Sequence, residues 1–392
     1  MSDDDFKIIC FSWNTAGLKI CETANERVAK EERSGFLGMV GIKKQCIPAD
    51  FFSEIRKKIE DVNPKIVVIT TLDEDDSKTY FHSDYLKKSM EDLQYSLLKR
   101  DKIDNVGEPG SKNPYTDLKD VNLDNPSKTA MRVSIFASSS IINQVEMDEA
   151  QIPPFYKNNK GQKEMITKQG GRAIGTIASY IKYNDKTFLF IITHIPAGQK
   201  ILKVDNAIKY EKYRDITVAG NKLAFHDIFD KLIDPIDEKY LPNTIFILGD
   251  LNYDIKDTNP LDVIKKLAVD APNYKEYYDK DELKNEISMS GSALYGFEEG
   301  LNNEGPKFLP TWDLKRNRPE NCQTLITTDD VKKVDDTCFS TKSLSVGWHD
   351  RIIYKNFNDN LKVSCEFYKR LDYKNMNKST HAGIMGIFNL SK

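Results

Sequence analysis

Nine short runs of apolar, β-branched and aromatic residues recur along this chain, and such runs favour β-strands. They are Lys7 to Trp13, Lys65 to Thr71, Met131 to Ala137, Ala173 to Tyr183, Thr187 to Thr193, Thr244 to Leu248, Val346 to Tyr354, Val363 to Tyr368 and Gly383 to Phe388. Apolar residues at steps of three and four predict helices over Phe51 to Val62, Leu223 to Ile233 and Leu261 to Val269. Strands follow one another as well as alternating with helices, so the pattern favours two sheets with helices outside over one parallel sheet.

Three polar stretches interrupt this pattern and predict loops, at residues 18–45, 101–128 and 147–168. The last is rich in lysine, and we interpret it as a solvated loop rather than an anion-capturing lid. No linker rich in Pro, Gly or Ser divides the 392 residues. We therefore expect one domain over residues 1–392, with these stretches as insertions.

The net charge and the cysteine pattern limit the classes of protein to which the chain can belong. The formal net charge of −3 argues against a nucleic-acid clamp, so nucleic acid is a less favoured partner. The six cysteines form no C-x-x-C pair, which predicts reduced thiols and a cytoplasmic protein. No apolar stretch reaches membrane-spanning length, so we expect membrane contact, if any, to be peripheral, and the protein to be a monomer.

The run Thr244 to Leu248 stops at Gly249 and is followed by Asp250 and Asn252. An isolated G-D-x-N is more often an ordinary turn. A strand end that presents a carboxylate and a carboxamide two residues apart also offers oxygen ligands and a proton acceptor to a phosphate. The residues at the other strand ends are needed to choose between an ordinary turn and a phosphate-binding site.

Polar residues end two strands in the first part of the chain. Asn14 follows the first run, where its carboxamide could bind a phosphate oxygen or a metal-bound water, or form an Asx turn. The run ending at Thr71 continues into Asp73 and Glu74. These carboxylates suit Mg²⁺, although a solvated acidic turn is an equal alternative.

The later strands present histidines and charged residues. His194 ends one run and could donate to a phosphate oxygen. Asp350 and Arg351 interrupt a strand-like run, where buried charges need partners. His381 precedes the last run and is placed to pair with Asp350, which would orient the imidazole.

Taken in order, the segments W-N-T-A-G, K-Q-G-G, T-H-I-P-A-G, G-D-L-N-Y, F-L-P-T-W, G-W-H-D-R-I-I and S-T-H-A-G resemble the endonuclease/exonuclease/phosphatase superfamily. Within it the chain is most similar to inositol polyphosphate 5-phosphatases, with motifs G-D-L-N-Y-R, P-A-W-C-D-R-I-L and S-D-H-x-P-V. The similarity spans residues 7 to 389. It implies a deoxyribonuclease-like α/β (α+β) fold, a four-layer sandwich of two packed mixed β-sheets flanked by helices, with the site at one edge.

The resemblance also implies catalytic roles for Asp250, Asn252, His381, Asp350 and His194. Asp250 would position and deprotonate the attacking water, and Asn252 would hold the scissile phosphate. His381, oriented by Asp350, would stabilise the phosphoryl oxygens, with His194 as a further donor.

The implied cofactor is Mg²⁺, held by Asp73 or Glu74 with Asn14. The implied partner is a phosphorylated inositol or lipid headgroup. We predict that its phosphates contact Asn14, Lys168, Arg172, Lys315 and Arg351. Lys168 and Arg172 flank two glycines, which let backbone approach an anion closely.

Three positions depart from the resembled motifs. Thr380 replaces the aspartate of S-D-H, Asp254 replaces the arginine after G-D-L-N-Y, and P-T-W-D, ending at Asp313, stands where 5-phosphatases have P-T-Y-K. The leading hypothesis is a Mg²⁺-dependent phosphomonoesterase acting on an inositol phosphate or phosphoinositide. The alternatives are a phosphodiesterase of the same superfamily, either nuclease or sphingomyelinase-like, and a catalytically impaired binding or scaffolding member.

Overall fold

The computed structural model of the chain contains two six-stranded β-sheets. It describes residues 6–21, 46–75, 81–104, 129–152, 155–157, 163–165, 168–169, 172–173, 175–195, 242–256, 258–269, 273–319, 322, 338–340, 346–373 and 375–391. The described strands are β1 (Phe6–Asn14), β2 (Lys19–Cys21), β3 (Cys46–Pro48), β4 (Ile66–Asp75), β5 (Tyr95–Asp104), β6 (Thr129–Ser138), β7 (Val145–Ile152), β8 (Phe155–Lys157), β9 (Lys163–Met165), β10 (Lys168–Gln169), β11 (Arg172–Ala173), β12 (Gly175–Tyr183), β13 (Lys186–His194), β14 (Thr244–Asp250), β15 (Glu298–Glu299), β16 (Asp350–Asn356), β17 (Lys362–Leu371) and β18 (Gly383–Ser391).

The described α-helices lie between strands of these sheets. They are α1 (Phe52–Val62), α2 (Leu86–Glu91), α3 (Pro260–Val269), α4 (Asn273–Tyr278) and α5 (Glu282–Ser288). Short helical turns lie at Ala49–Phe51, Phe81–Tyr85, Ile142–Gln144, Leu301–Asn303 and Met376–Lys378. None of the described helices has the length and apolar character needed to cross a bilayer.

Each sheet combines parallel and antiparallel pairs. The first has the order β17-β18-β1-β4-β6-β5, and the second has the order β15-β16-β14-β13-β12-β7. Strand β1 is parallel to β4, and β13 is parallel to β14, whereas the other pairs in these sheets are antiparallel. Each parallel pair brings the carboxyl ends of two strands to one edge of its sheet.

The main core lies between the two sheets, because one face of each is apolar. Val68 of the first sheet and Leu248 of the second belong to this shared cluster. Helices cover the outer faces, with Ile55 of α1 packed on the first sheet and Leu283 of α5 packed on the second. The result is a helix–sheet–sheet–helix arrangement of four layers, which confirms the predicted fold class.

The predicted helices at 51–62 and 261–269 correspond to α1 and α3, and the one at 223–233 lies outside the described residues. Most of the predicted loops at 18–45 and 101–128 also lie outside them. The loop predicted over 147–168 is wrong in part, because β7 reaches Ile152 and pairs along β12. Val145 and Met147 alternate toward the core, but this short apolar pattern is followed by a lysine-rich stretch that obscured it.

The cysteines divide into two groups. Cys10 and Cys365 are buried free thiols, as expected of small apolar side chains. The expectation of reduced thiols is wrong elsewhere, since Cys322 and Cys338 form a disulfide with Cα atoms 5.8 Å apart and Cys21 is also disulfide-bonded. The predicted cytoplasmic localisation stays a prediction.

Candidate active site

Three polar residues lie side by side at one edge of the second sheet. His194 is opposite Asp250 in the parallel pair of β13 and β14, and Asp250 is opposite Asp350 in the antiparallel pair of β14 and β16. Residues in one register row point to the same face, and here the residues two positions away on each strand belong to the core between the sheets. All three side chains are buried, so strand pairing alone builds half of the site.

Gly249 is required by the close approach of strands β13 and β14. It has a φ of +143°, and a Cβ atom there would lie 1.9 Å from the carbonyl oxygen of Thr193. Only glycine tolerates both conditions. The glycine before Asp250 therefore lets the two strands deliver their terminal residues to the same place.

Asn14 reaches the row from the first sheet. Its Nδ2 donates to Asp250 Oδ2 at 2.7 Å, and its Oδ1 accepts from the backbone N–H of Ala16 at 2.8 Å. Its carboxamide thus joins the two sheets and positions Asp250. Since both ends of the carboxamide are engaged, it is better suited to positioning than to the predicted metal binding.

His381 completes the group from the segment before β18. Its Nδ1 lies 2.8 Å from Asp350 Oδ2, and its Nε2 lies 3.8 Å from Asp250 Oδ2. Its backbone N–H donates to Ser379 Oγ, which itself donates to the carbonyl oxygen of Asn14. The predicted pairing of His381 with Asp350 is thus present in the structure, and it directs Nε2 toward Asp250.

The two facing carboxylates have opposite electrostatic tendencies. Burial by itself raises the pKa of Asp250, but neighbouring histidines, with His381 foremost, lower that pKa to about 2. Burial, followed by the charge of Asp250, raises the pKa of Asp350. His194, whose Nε2 lies 3.5 Å from Asp250 Oδ2, adds to the positive environment. Asp250 is therefore held as an anion at neutral pH.

Asn252 lies directly beyond this row in a left-handed conformation with a φ of +53°. Its backbone N–H donates to Asp250 Oδ1 at 3.2 Å, and its Nδ2 donates to the carbonyl oxygen of Ile195 at 2.6 Å. These bonds fix the turn after β14. The G-D-x-N segment thus forms a turn and also carries Asp250 of the site. The turn and the site were two alternative interpretations of this segment, and the structure shows that they are compatible.

The structure separates Asp73 from Glu74, which the sequence could not. The register of β4 with β6 shifts between Thr71 and Glu74, and Asp73 within this irregular segment has a φ of +53°. The carbonyl oxygen of Asp73 accepts from the N–H of Gly17 at 2.7 Å. The backbone of Asp73 is therefore bonded to the turn that follows Asn14.

Glu74 is engaged elsewhere. Its Oε2 accepts from Thr71 Oγ1 at 2.6 Å and lies 3.6 Å from Arg132 Nε. Thr71 and Arg132 point to the outer face of the first sheet, since their neighbours along each strand face the core. Glu74 is thus held in a buried ion pair with Arg132, and the assignment of the metal to Asp73 or to Glu74 stays a prediction.

The carboxylates at this edge fit a hard divalent cation. Asp250, Asp350 and His381 offer ligand atoms within 4.8 Å of one another. Asp350 Oδ1 is buried and has no hydrogen-bond partner among the described residues. Oxygen donors of this kind, with Asp73 beside Asn14, match the preference of Mg²⁺ for one or two carboxylates.

The structure describes the predicted phosphate-binding cations to different extents. Lys168 and Arg172 lie on β10 and β11, which pair as a hairpin, and β11 lies beside β4 and β6. Their side chains are outside the described part of the structure. Lys315 is half-buried near the site, with its backbone N–H donating to the carbonyl oxygen of Cys338, and its neighbour Arg316 donates to the carbonyl oxygen of Ala16 at 2.8 Å.

The prediction that Arg351 binds substrate is wrong. Arg351 follows Asp350 on β16 and points to the outer face, where it is fully buried. Its Nε donates to Glu299 Oε1 at 2.6 Å, its Nη2 donates to Glu299 Oε2, and its Nη1 donates to both oxygens of Asp281. Tyr368 Oη donates to Glu299 Oε1 at 2.7 Å. Asp281, Glu299, Arg351 and Tyr368 form what we call the outer-face cluster.

Sequence reasoning missed a second histidine–carboxylate pair. His349 Nε2 lies 2.7 Å from Asp254 Oδ1, and both side chains are buried. The Trp312 ring stacks on His349 and also contacts the ring of His381. The sequence shows His349 and Asp350 directly before Arg351, and it shows Asp254 in place of the arginine of the resembled motif. Nothing in the sequence indicated that His349 and Asp254 lie in contact.

Comparisons with known proteins agree with this architecture. A family model described as Endonuclease/Exonuclease/phosphatase family 2 matches residues 12–387. Phosphatidylinositol 3,4,5-trisphosphate 5-phosphatase 1 of Xenopus laevis is 25% identical over 217 residues, which are 55% of this chain and 18% of that protein. The match thus covers less than a fifth of the curated relative.

Two solved structures share the fold at low identity. The inositol polyphosphate 5-phosphatase domain of SPsynaptojanin, in complex with inositol (1,4)-bisphosphate and calcium, superposes with a TM-score of 0.54 at 14% identity, covering 98% of this chain and 84% of that one. Cimex nitrophorin, as a ferrous NO complex, has a TM-score of 0.53 at 14% identity and covers 99% of both chains. One fold thus serves proteins with different ligands, so the site must decide the function.

Proposed function

We propose, since this chain belongs to the endonuclease/exonuclease/phosphatase family 2, that it is a Mg²⁺-dependent phosphomonoesterase that removes a phosphate from an inositol phosphate or a phosphoinositide headgroup. The observation that carries the proposal is the meeting of Asn14, His194, Asp250, Asp350 and His381, which we call the site cluster. It places an anionic oxygen, a carboxylate-oriented imidazole and a second imidazole around one point.

Asp250 would orient the attacking water. Its low pKa keeps it ionised, and Asn14 fixes its Oδ2 through a hydrogen bond. A carboxylate with a pKa of about 2 is a weak base, so its main role is to accept a hydrogen bond from the water and align it with phosphorus. The proton would pass to it as the new P–O bond forms and the bond between phosphorus and the ester oxygen breaks, and the ester oxygen would leave as an alcohol after taking a proton from solvent.

His381 would stabilise the phosphoryl oxygens. Asp350 holds Nδ1 and would stabilise the doubly protonated ring, whose Nε2–H would donate toward the charge that develops on the phosphate. His194, on the other side of Asp250 in the register row, would donate to a further oxygen. Such prearranged donors act strongly in a buried site because few water molecules compete with them.

The residues that would hold Mg²⁺ are Asp73 and the site carboxylates, with Asn14 fixing their positions. When bound, the ion supplies positive charge that offsets the charge developing on the phosphate. The ion pair of Glu74 with Arg132 favours Asp73 over Glu74 in this role.

The substrate class rests on similarity and on charge. The curated relative of 25% identity is named for a phosphatidylinositol phosphate substrate. Lys168, Arg172 and Lys315 are the cations that we expect to contact further phosphates on the ring. We also propose that the protein works as a monomer and that any membrane contact is peripheral.

Phosphate release tests the proposal directly. Purified full-length protein should release inorganic phosphate from at least one member of a panel of inositol phosphates and short-chain phosphoinositides in Mg²⁺, and EDTA should abolish the release. Asp250→Asn should lower the rate on the order of 10³-fold, because it removes the anion that orients water. Asp359→Asn, in the exposed turn after β16, is the matched control and should keep the wild-type rate.

Other outcomes separate the alternatives. Cleavage of plasmid DNA or sphingomyelin without release of phosphate from the panel would favour a phosphodiesterase. Binding of a headgroup without turnover, unchanged by Asp250→Asn, would favour the impaired binding protein that Thr380 suggested. Absence of both turnover and headgroup binding in Mg²⁺ would exclude the proposed substrate class.

A further inference from the structure

We propose that His349 is a positioning residue of the site, which together with Asp254 holds the Trp312 ring against His381 and so fixes the orientation of the His381 imidazole. The catalytic consequence rests on the proposed function, whereas the structural part does not. The His349 side chain is bonded to Asp254 and stacked on Trp312, so we infer that it acts on His381 through Trp312.

The anchoring of His349 is the first step. Its Nε2 lies 2.7 Å from Asp254 Oδ1, and its carbonyl oxygen accepts from the N–H of Leu251 at 2.7 Å. Asp254 is itself fixed at the start of α5, because its N–H donates to Glu282 Oε2 at 3.1 Å and its carbonyl oxygen accepts from the N–H of Glu282. The imidazole of His349 is thus tied to a helix and to a strand pair, and it forms a stable support.

The contact among three rings is the second step. The Trp312 ring lies 5.6 Å from the His349 ring at an interplanar angle of 18°, and 4.5 Å from the His381 ring at 40°. The two imidazole centroids are 6.4 Å apart. The three rings therefore contact one another, with Trp312 nearest to His381. Because Trp312 is only 9% exposed, it has little space in which to turn away.

The third step is the orientation that His381 would lose without this support. Its bond to Asp350 fixes Nδ1 but still allows the ring to tilt about that contact. We infer that the contact with Trp312, 4.5 Å between ring centroids, limits this tilt. A ring pair contributes roughly 0.5–1.5 kcal/mol, so losing its alignment should slow a reaction that depends on the orientation of Nε2 by up to about tenfold.

A purely structural role explains His349 less well. Its Nδ1 is buried and has no hydrogen-bond partner among the described residues, so the side chain is not placed there to satisfy its own polar atoms. One face of its ring, by contrast, stacks on Trp312. Moreover, Asp254 is one of the departures from the resembled motifs, and the structure bonds it to His349.

Imidazole NMR provides a test that needs no turnover. The chain has five histidines, so its imidazole spectrum is simple, and His381→Gln assigns the His381 signal. His349→Gln keeps a donor for Asp254 but removes the ring. We expect the His381 signal, shifted by the Trp312 ring current, to move toward its position in an unfolded chain. Trp312→Leu should have the same effect, and Trp312→Phe should restore most of the shift.

Kinetics supplies the second readout. In the active protein, His349→Gln should lower kcat up to about tenfold and leave KM within about twofold, since no substrate contact is lost. His82→Gln, which changes a buried histidine on the outer face of the first sheet, is the matched control and should alter neither kcat nor the His381 signal.

The outcomes keep the two proposals apart. An unchanged His381 signal in folded His349→Gln would overturn the positioning role, even if the wild type is fully active. If His349→Gln does not fold, Asp254→Asn and the Trp312 pair decide the question. If the wild type releases no phosphate from any substrate, the proposed function fails, and the NMR shift alone still decides whether His349 positions His381.

Discussion

Two buried charge clusters lie on opposite faces of the same strand, and they differ in how completely they are satisfied. Asp350 and Arg351 are neighbours on β16, yet Asp350 belongs to the site cluster and Arg351 to the outer-face cluster. The guanidinium of Arg351 donates to Glu299, Asp281 and the carbonyl oxygen of Trp348. Asp350 Oδ1, in contrast, has no hydrogen-bond partner among the described residues.

This difference indicates what each cluster is for. A buried ion pair whose hydrogen bonds are complete serves the folded state and is costly to break. A buried carboxylate with an unused oxygen is costly to keep, and it persists where a ligand completes it. At the end of β4, Glu74 pairs with Arg132 on the outer face, and the backbone of Asp73 is bonded to the turn after Asn14.

Substitutions at β16 should give the largest contrast. Arg351→Met leaves Asp281 and Glu299 unpaired and should destabilise the fold by about 3–5 kcal/mol. Asp350→Asn should cost little stability, because burial and Asp250 already disfavour its charge, but it should lower turnover on the order of 10²-fold by releasing His381. Urea unfolding and phosphate release measure the two effects. Equal loss of stability in both variants would contradict the distinction between the clusters.

Substitutions of Asp73 and Glu74 at the end of β4 should show the same contrast between activity and stability, with smaller effects. Glu74→Gln weakens the partner of buried Arg132 and should cost about 1–3 kcal/mol without changing the Mg²⁺ concentration needed for half-maximal activity. Asp73→Asn should raise that concentration at least about tenfold, with little change in melting temperature. Mg²⁺ titrations of activity, paired with thermal melts, check both. A shifted Mg²⁺ requirement in Glu74→Gln alone would reverse our assignment of the two acids.

His82 provides the smallest test, through the pH dependence of stability. Burial, followed by the charges of Arg132 and Arg100, lowers the pKa of His82 well below its ordinary value. The unfolded chain therefore binds a proton that the folded protein does not, so this contribution is intact above about pH 6.5 and is lost as the pH falls, by up to about 1.4 kcal/mol per pH unit. His82→Gln should flatten the fall in unfolding free energy between about pH 6.5 and 5. An unchanged slope would show that His82 is not held neutral.

Much of the fold and site could be predicted because they depend on local pattern. The apolar runs indicated the strands, and Asn14, His194, Asp250 and Asp350 were found because each ends or begins such a run. The pairing of His381 with Asp350 was also anticipated. Arg351 was misjudged because alternation along β16, which sends it away from the site, depends on which face the sheet buries.

The sequence by itself determined the strand and helix periods, the polar residues at strand ends and the order of motifs along the chain, because these depend on neighbours within a few residues. The folding of distant segments onto one another gave Asp73 and Glu74 different partners, joined Cys322 to Cys338, and brought His349, Asp254 and Trp312 together. These facts depend on sheet register, an irregular strand end and contacts between residues far apart in the chain. Such contacts form only when the two sheets pack together through their shared apolar face, because close packing then holds the residues at the strand ends in place.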